Sequence, residues 1–118
     1  MEIVKNNQKR TLTPFPSLTL HEYDMHDATI GGGIAELRGR YPEKGFVTNE
    51  KTKELVYILS GSGKLLTPAG ETALSEGDMV LISPEEIYAW EGEMSLYMAN
   101  APKFDPQQHK TVPPILGK

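Results

Sequence analysis

The chain has 118 residues, a formal net charge of −4 and a pI near 5.3. That length predicts one domain, residues 1–118, which buries roughly two-thirds of its unfolded surface and folds without staples. The absence of cysteine excludes disulfides, thiolate metal sites and a cysteine nucleophile, and it fits a reducing compartment. No apolar run approaches the roughly 18 residues of a membrane span, and the N-terminus lacks the basic start and apolar core of a signal peptide. The expectation is a soluble, cytoplasmic protein. Mild acidity without a basic stripe argues against nucleic acid, where neutralisation of phosphate dominates affinity.

Eleven glycines and nine prolines separate short runs rich in Val, Ile, Leu, Tyr and Met, the rhythm of an all-β domain. The first predicted strand is Ile3 to Asn6. "TLTPFPS" follows as a loop or edge segment, because proline cannot donate to a ladder. In "LTLHEYDMH" Leu18, Leu20, Glu22, Asp24 and His26 share one face, and Thr19, His21, Tyr23 and Met25 the other. The next strand runs over about Ile34 to Arg40, with Ile34, Glu36, Arg38 and Arg40 on a long charged face.

"LVYIL" is apolar at every position, which predicts cover on both faces. "GSG" after Ser60 reads as a turn, since glycine accepts positive φ freely. "PAGE" and "EGD" are further turns, "MVLIS" is a strand that ends at Pro84, and "IYAWEG" and "MSLYMAN" complete a meander. The tail, residues 101–118, holds four prolines and is expected to form an extended arm across a neighbouring strand or subunit. No sustained 3.6-residue apolar period appears, so any helix is short. Turns every eight to ten residues suggest a sandwich or barrel.

At residues 30–100 the pattern resembles the cupin family, in its small single-domain, RmlC-like form. Glu54, six residues and then Gly61 is similar to the end of the first cupin motif, and after 15 residues "GDMVLISPEEIYAW", Gly77 to Trp90, resembles the second. The resemblance implies a double-stranded β-helix, the jelly-roll barrel. It also implies where a metal would sit, and there the chain departs from the pattern. The two histidines of the first motif fall on Thr48 and Glu50, or on Val47 and Asn49 with a one-residue-longer spacing. Tyr88 replaces the histidine of the second motif, and Glu54 alone of the four ligands stands. First-row metals favour imidazole nitrogen, whereas these side chains offer oxygen. No metal and no other cofactor are expected.

The candidate ligand-binding residues are therefore Arg38, Arg40, Thr48, Glu50, Glu54, Tyr88 and Trp90, with Glu50, Glu54 and Tyr88 as catalytic candidates. Arg38 and Arg40 either clamp a carboxylate or phosphate inside the barrel or form an exposed ladder. Tyr88 and Trp90 share one strand face, suited to a sugar or a ring-bearing ligand if it points inward. His21, His26 and His109 show no ligand spacing, and His109, in the tail, is the weakest candidate. Three functions stay open: a metal-free small-molecule-binding module; a metal-independent isomerase, epimerase or lyase on a sugar or hydroxy acid using cavity carboxylates; and a dimeric sensor or partner domain. A homodimer is expected from the sheet edges and the arm.

Overall fold

The computed structural model describes residues 1–114. Nine strands follow in chain order: β1 Arg10–Phe15, β2 Leu18–Tyr23, β3 Gly31–Tyr41, β4 Phe46–Asn49, β5 Lys53–Thr67, β6 Gly70–Ser75, β7 Met79–Ile82, β8 Ile87–Ala101 and β9 His109–Val112. The helical content of the described residues is two 3-10 turns, Asn6–Gln8 and Pro106–Gln108. No helix among them is long and apolar enough to cross a membrane. The strand order is β1-β2-β3-β8-β4-β9, with β5 also on β8 and carrying β6 and β7 on its other edge. Every pairing is antiparallel.

The sheet curls into a barrel because β5 and β8 are long and bend. The pairing of β5 with β8 slips between Ile58 and Ser60, a bulge next to Gly61, which has a φ of 85°. Further on, Gly63 and Gly92 lie opposite each other and the backbones nearly touch. A β-carbon on Gly92 would stand 2.5 Å from the Gly63 α-carbon. Only glycine allows that approach, and Gly92 has a φ of 138° besides.

Strand parity sets what faces inward. Leu18 pairs with Leu37 and Leu37 with Met94; Leu20 with Ala35 and Ala35 with Leu96; Glu22 with Gly33 and Gly33 with Met98. Across β8 from these, Val56 pairs with Met98 and Ile58 with Leu96. Leu18, Ala35, Leu37, Val47, Val56, Ile58, Met94 and Leu96 form the buried core with Tyr88 and Trp90. One further layer, Gly31, Asn100 and Glu54, is polar and lies toward one end of the barrel.

Several expectations change. Ile3 to Asn6 is not a strand; the chain is irregular through Lys5 and enters a 3-10 turn at Asn6. "GSG" does not reverse the chain but lies inside β5, its glycines serving the bend. "IYAWEG" and "MSLYMAN" are one continuous strand, β8. "LVYIL" is covered on one face only, for Leu55, Tyr57 and Leu59 are exposed while Val56 and Ile58 are fully buried. The arm turns at Pro106–Gln108, capped by the Asp105 carboxylate, and adds β9 to the edge of β4 within the same chain. The last four residues of the predicted arm, 115–118, lie outside the described residues.

Candidate active site

A cavity of about 260 Å³ opens inside the barrel. Leu18, Leu20, Leu37, Leu96 and Met98 supply an apolar wall, Trp90 and Phe104 supply rings, and Glu54, Tyr41, Tyr88 and His109 meet at one end. These last four belong to one hydrogen-bonded network whose directions follow from its anchor.

The anchor is Gln108, buried in the arm. Its Oε1 accepts from the backbone N–H groups of Lys51 and Thr52, at 3.0 and 3.1 Å, in the tight β4–β5 connection. An amide with its oxygen so engaged must present its NH₂ elsewhere, and Nε2 donates to Asn49 Oδ1 at 3.0 Å. Asn49 is thereby oriented too. Its Nδ2 donates to Glu54 Oε1 at 3.0 Å and to the Tyr88 hydroxyl at 3.1 Å. Its Oδ1 takes a second bond, 2.8 Å from His109 Nδ1. Since Oδ1 can only accept, Nδ1 carries the imidazole proton. His109 Nε2 is then left to accept from the Tyr41 hydroxyl at 2.8 Å. Two backbone amides thus set the tautomer of a histidine through two side-chain amides.

Burial displaces the ionisable members in opposite senses. Glu54, 6% exposed, has its carboxyl pKa raised by desolvation, against a smaller lowering from the Asn49 bond. His109 is pushed down by desolvation, toward neutral imidazole. The Tyr41 phenol is pushed up to about 12 by burial and by Glu54. The Tyr88 phenol is raised further, by burial first and Glu54 second. Burial thus favours the uncharged form of both Glu54 and His109, which are joined through Asn49.

Of the seven sequence candidates, Glu54, Tyr88 and Trp90 line this cavity. Tyr88 and Trp90 pack edge to face, with centroids 6.2 Å apart. The other four lie elsewhere. Arg38 and Arg40 alternate with the inward-facing Ala35 and Leu37 and so lie on the outer side of β3. Arg38 borders a shallow depression with Glu36 and Glu93, and Arg40 donates to the Pro42 carbonyl at 2.7 Å and rests over the Phe46 ring. Of the two readings open for Arg38 and Arg40, strand parity leaves the one outside the cavity, and neither lines it. Thr48 points away from Asn49, its hydroxyl buried without a partner among the described residues. Glu50 is exposed, and it meets the network only through its backbone N–H, which donates to the Gln108 carbonyl at 2.9 Å. Tyr41, Asn49, Gln108 and His109 were not identified from sequence as a group. The one available signal was Asn49, which falls on the longer-spacing histidine position.

The fold implies a metal at this place, and the donor set does not fit one. The Asn49 NH₂ points between Glu54 and Tyr88, so an N–H donor stands where a cation needs a lone pair. Among the described residues no three of His, Cys, Asp and Glu cluster as ligands.

No protein-family model and no curated protein sequence matches the chain. Solved structures do. Pac13 from Streptomyces, described as a nucleoside dehydratase, superposes with a TM-score of 0.85 at 16% identity, covering 98% of this chain and 93% of its own. The fold is that of the cupins. An RmlC-like cupin from Shewanella frigidimarina matches with a TM-score of 0.74 at 12% identity, covering 91% of this chain and 96% of its own. RemF, a polyketide cyclase from Streptomyces resistomycificus, gives 0.74 at 13%, covering 95% and 85%. This cupin barrel therefore shares its architecture with enzymes while differing from them at most positions.

Proposed function

We propose that this cupin barrel is a metal-independent lyase that removes water from a hydroxylated small molecule by acid–base chemistry. The observation that carries this reading is the hydrogen-bonded network that joins Glu54 to His109 through Asn49 on one cavity wall; burial displaces the two in opposite senses, which supports reading them as acid and base. Glu54 donates its proton to the departing hydroxyl, and the C–O bond breaks to release water. Tyr41 takes the proton from the neighbouring carbon as its own hydroxyl proton passes to His109 Nε2, and the C–H electron pair becomes the new C=C bond. Asn49 Nδ2 holds the carboxylate left behind, and Asn49 Oδ1 holds the imidazolium through Nδ1–H. Tyr88 accepts from Asn49, so its own proton is available to a substrate oxygen that gains charge. Return of the proton from His109 to Glu54 through solvent resets the site.

The likeness to Pac13 supports a nucleoside or other sugar-bearing molecule as substrate. The Pac13 variants solved with uridine each change a tyrosine or a histidine, the residue types that meet here. The test is turnover of nucleosides and sugars with a carbonyl next to the carbon that loses its proton, followed by the absorbance of the new conjugated double bond. Glu54→Gln is expected to lower kcat by about a hundredfold or more, as for loss of a general acid. Full activity in both Glu54→Gln and His109→Gln rejects the mechanism.

The outer face of β7, β5 and β8 supports assembly. Leu55, Tyr57, Met79, Leu81 and Tyr97 are all exposed there, in register across three strands. The proposed state is a homodimer formed through this face, and the proposed location is the cytoplasm.

A further inference from the structure

We propose that Asn100 reads the amide edge of an uncharged, planar ring, so that the cavity accepts neutral ring-bearing molecules and rejects their phosphorylated or carboxylated analogues. This rests on the cavity being the substrate site proposed above and adds the class of substrate. Asn100 is 8% exposed, lines the cavity, and makes no side-chain hydrogen bond to any described residue. Its counterparts Asn49 and Gln108 are also buried, and there both ends of each amide are engaged. The Asn100 amide is not sealed into the protein as the Thr48 hydroxyl is, so on the cavity wall its donor and acceptor are open to a ligand.

Its surroundings define what fits. Asn100 stands in register with Glu54 on one side and with Gly31 on the other. Trp90 and Phe104 line the same cavity, ring faces on which something flat can stack. An asparagine presents a donor and an acceptor side by side, the complement of a lactam or imide edge. Among the described residues, the two lysine or arginine side chains that line the cavity are each paired with a carboxylate: Arg10 Nη2 lies 2.7 Å from Glu22, and Lys103 Nζ lies 2.5 Å from Asp24. Among the described residues, a phosphate or carboxylate in the cavity would have to compete with Glu22 and Asp24 for these two cations.

The test uses the full chain and thymidine, which joins an imide edge to a hydroxylated ring, with N3-methylthymidine and thymidine 5′-monophosphate as comparators. Binding is measured by calorimetry. Wild type is expected to bind thymidine and to bind the N3-methyl compound about tenfold more weakly or worse, the size of a lost bidentate pair. The monophosphate is expected to be weaker as well. Asn100→Leu should weaken thymidine by a similar factor and leave N3-methylthymidine nearly unchanged. Asn100→Asp, which keeps the size and removes the donor, should do the same if Asn100→Leu fails to fold. No thymidine binding by wild type, equal binding of the methylated compound, or equal binding of the monophosphate overturns the proposal. Glu54→Gln separates the two ideas: retained, Asn100-dependent thymidine binding in a protein with no lyase activity on any substrate would leave this inference standing and reject the catalytic one.

Discussion

Glu54 and His109 make the pH behaviour of the site readable from two residues. The proposed mechanism needs Glu54 protonated and His109 neutral. Activity is expected to fall in acid as His109 takes a proton, below its usual pKa of 6.5, and to fall on the alkaline side as Glu54 ionises, above its usual 4.5. A pH–rate profile checks both limbs, and Glu54→Gln should abolish the alkaline one along with most of the rate. Stability follows the same groups with opposite signs. The unfolded chain protonates His109 first, so stability is lost as the pH drops from about 6.5 toward the lower folded value. It ionises Glu54 first, so stability is lost as the pH rises from about 4.5 toward the higher folded value. Glu54→Gln keeps the acceptor for Asn49 and removes the charge. Its melting temperature relative to wild type is therefore expected to improve as the pH rises from about 4.5 toward the folded value of Glu54 and to level off above it, and a difference that stays flat above pH 4.5 would show that the Glu54 pKa is not raised.

At the scale of elements, alternation made the strands legible and glycine concealed their lengths. Leu18, Leu20 and Glu22 share a face in the sequence and do so in β2. Tyr88 and Trp90 were expected on one face, and both point into the barrel. Gly61, Gly63 and Gly92 carried a double meaning, since the freedom that permits a tight turn also permits two backbones to cross at a corner. Local sequence cannot tell these apart, because the crossing partner of Gly92 is Gly63, on another strand. The site was legible in part for the same reason. Glu54 and Tyr88 follow from the cupin resemblance, but His109 reaches Asn49 through the pairing of β9 with β4, some 60 residues away in the chain. Gly92→Val tests the corner: with a φ of 138° and a contact at 2.5 Å, it is expected to cost about 2 kcal/mol or more in denaturant unfolding. Gly70→Val, at another positive φ but with open space around it, should lose only the backbone part.

For the whole molecule, the two faces of one sheet divide the work. Inward, β5 offers Glu54, Val56 and Ile58; outward, Leu55, Tyr57 and Leu59. The outward set continues across the ladder, Leu55 facing Leu81 and Tyr57 lying between Met79 and Tyr97. The homodimer proposed above rests on this patch, which is apolar on a domain with 24% charged residues. A second copy can cover it about a two-fold axis, where each residue meets an equivalent set and no separate partner surface is required. Light scattering is expected to report a dimer at micromolar concentration, with a melting temperature that rises with protein concentration. Leu81→Lys with Tyr57→Lys places two like charges in that face and should give a monomer. Because these residues lie outside the cavity, the monomer should still bind ligand, with a lower melting temperature. A wild-type monomer whose melting is independent of concentration would leave the apolar face to some other partner.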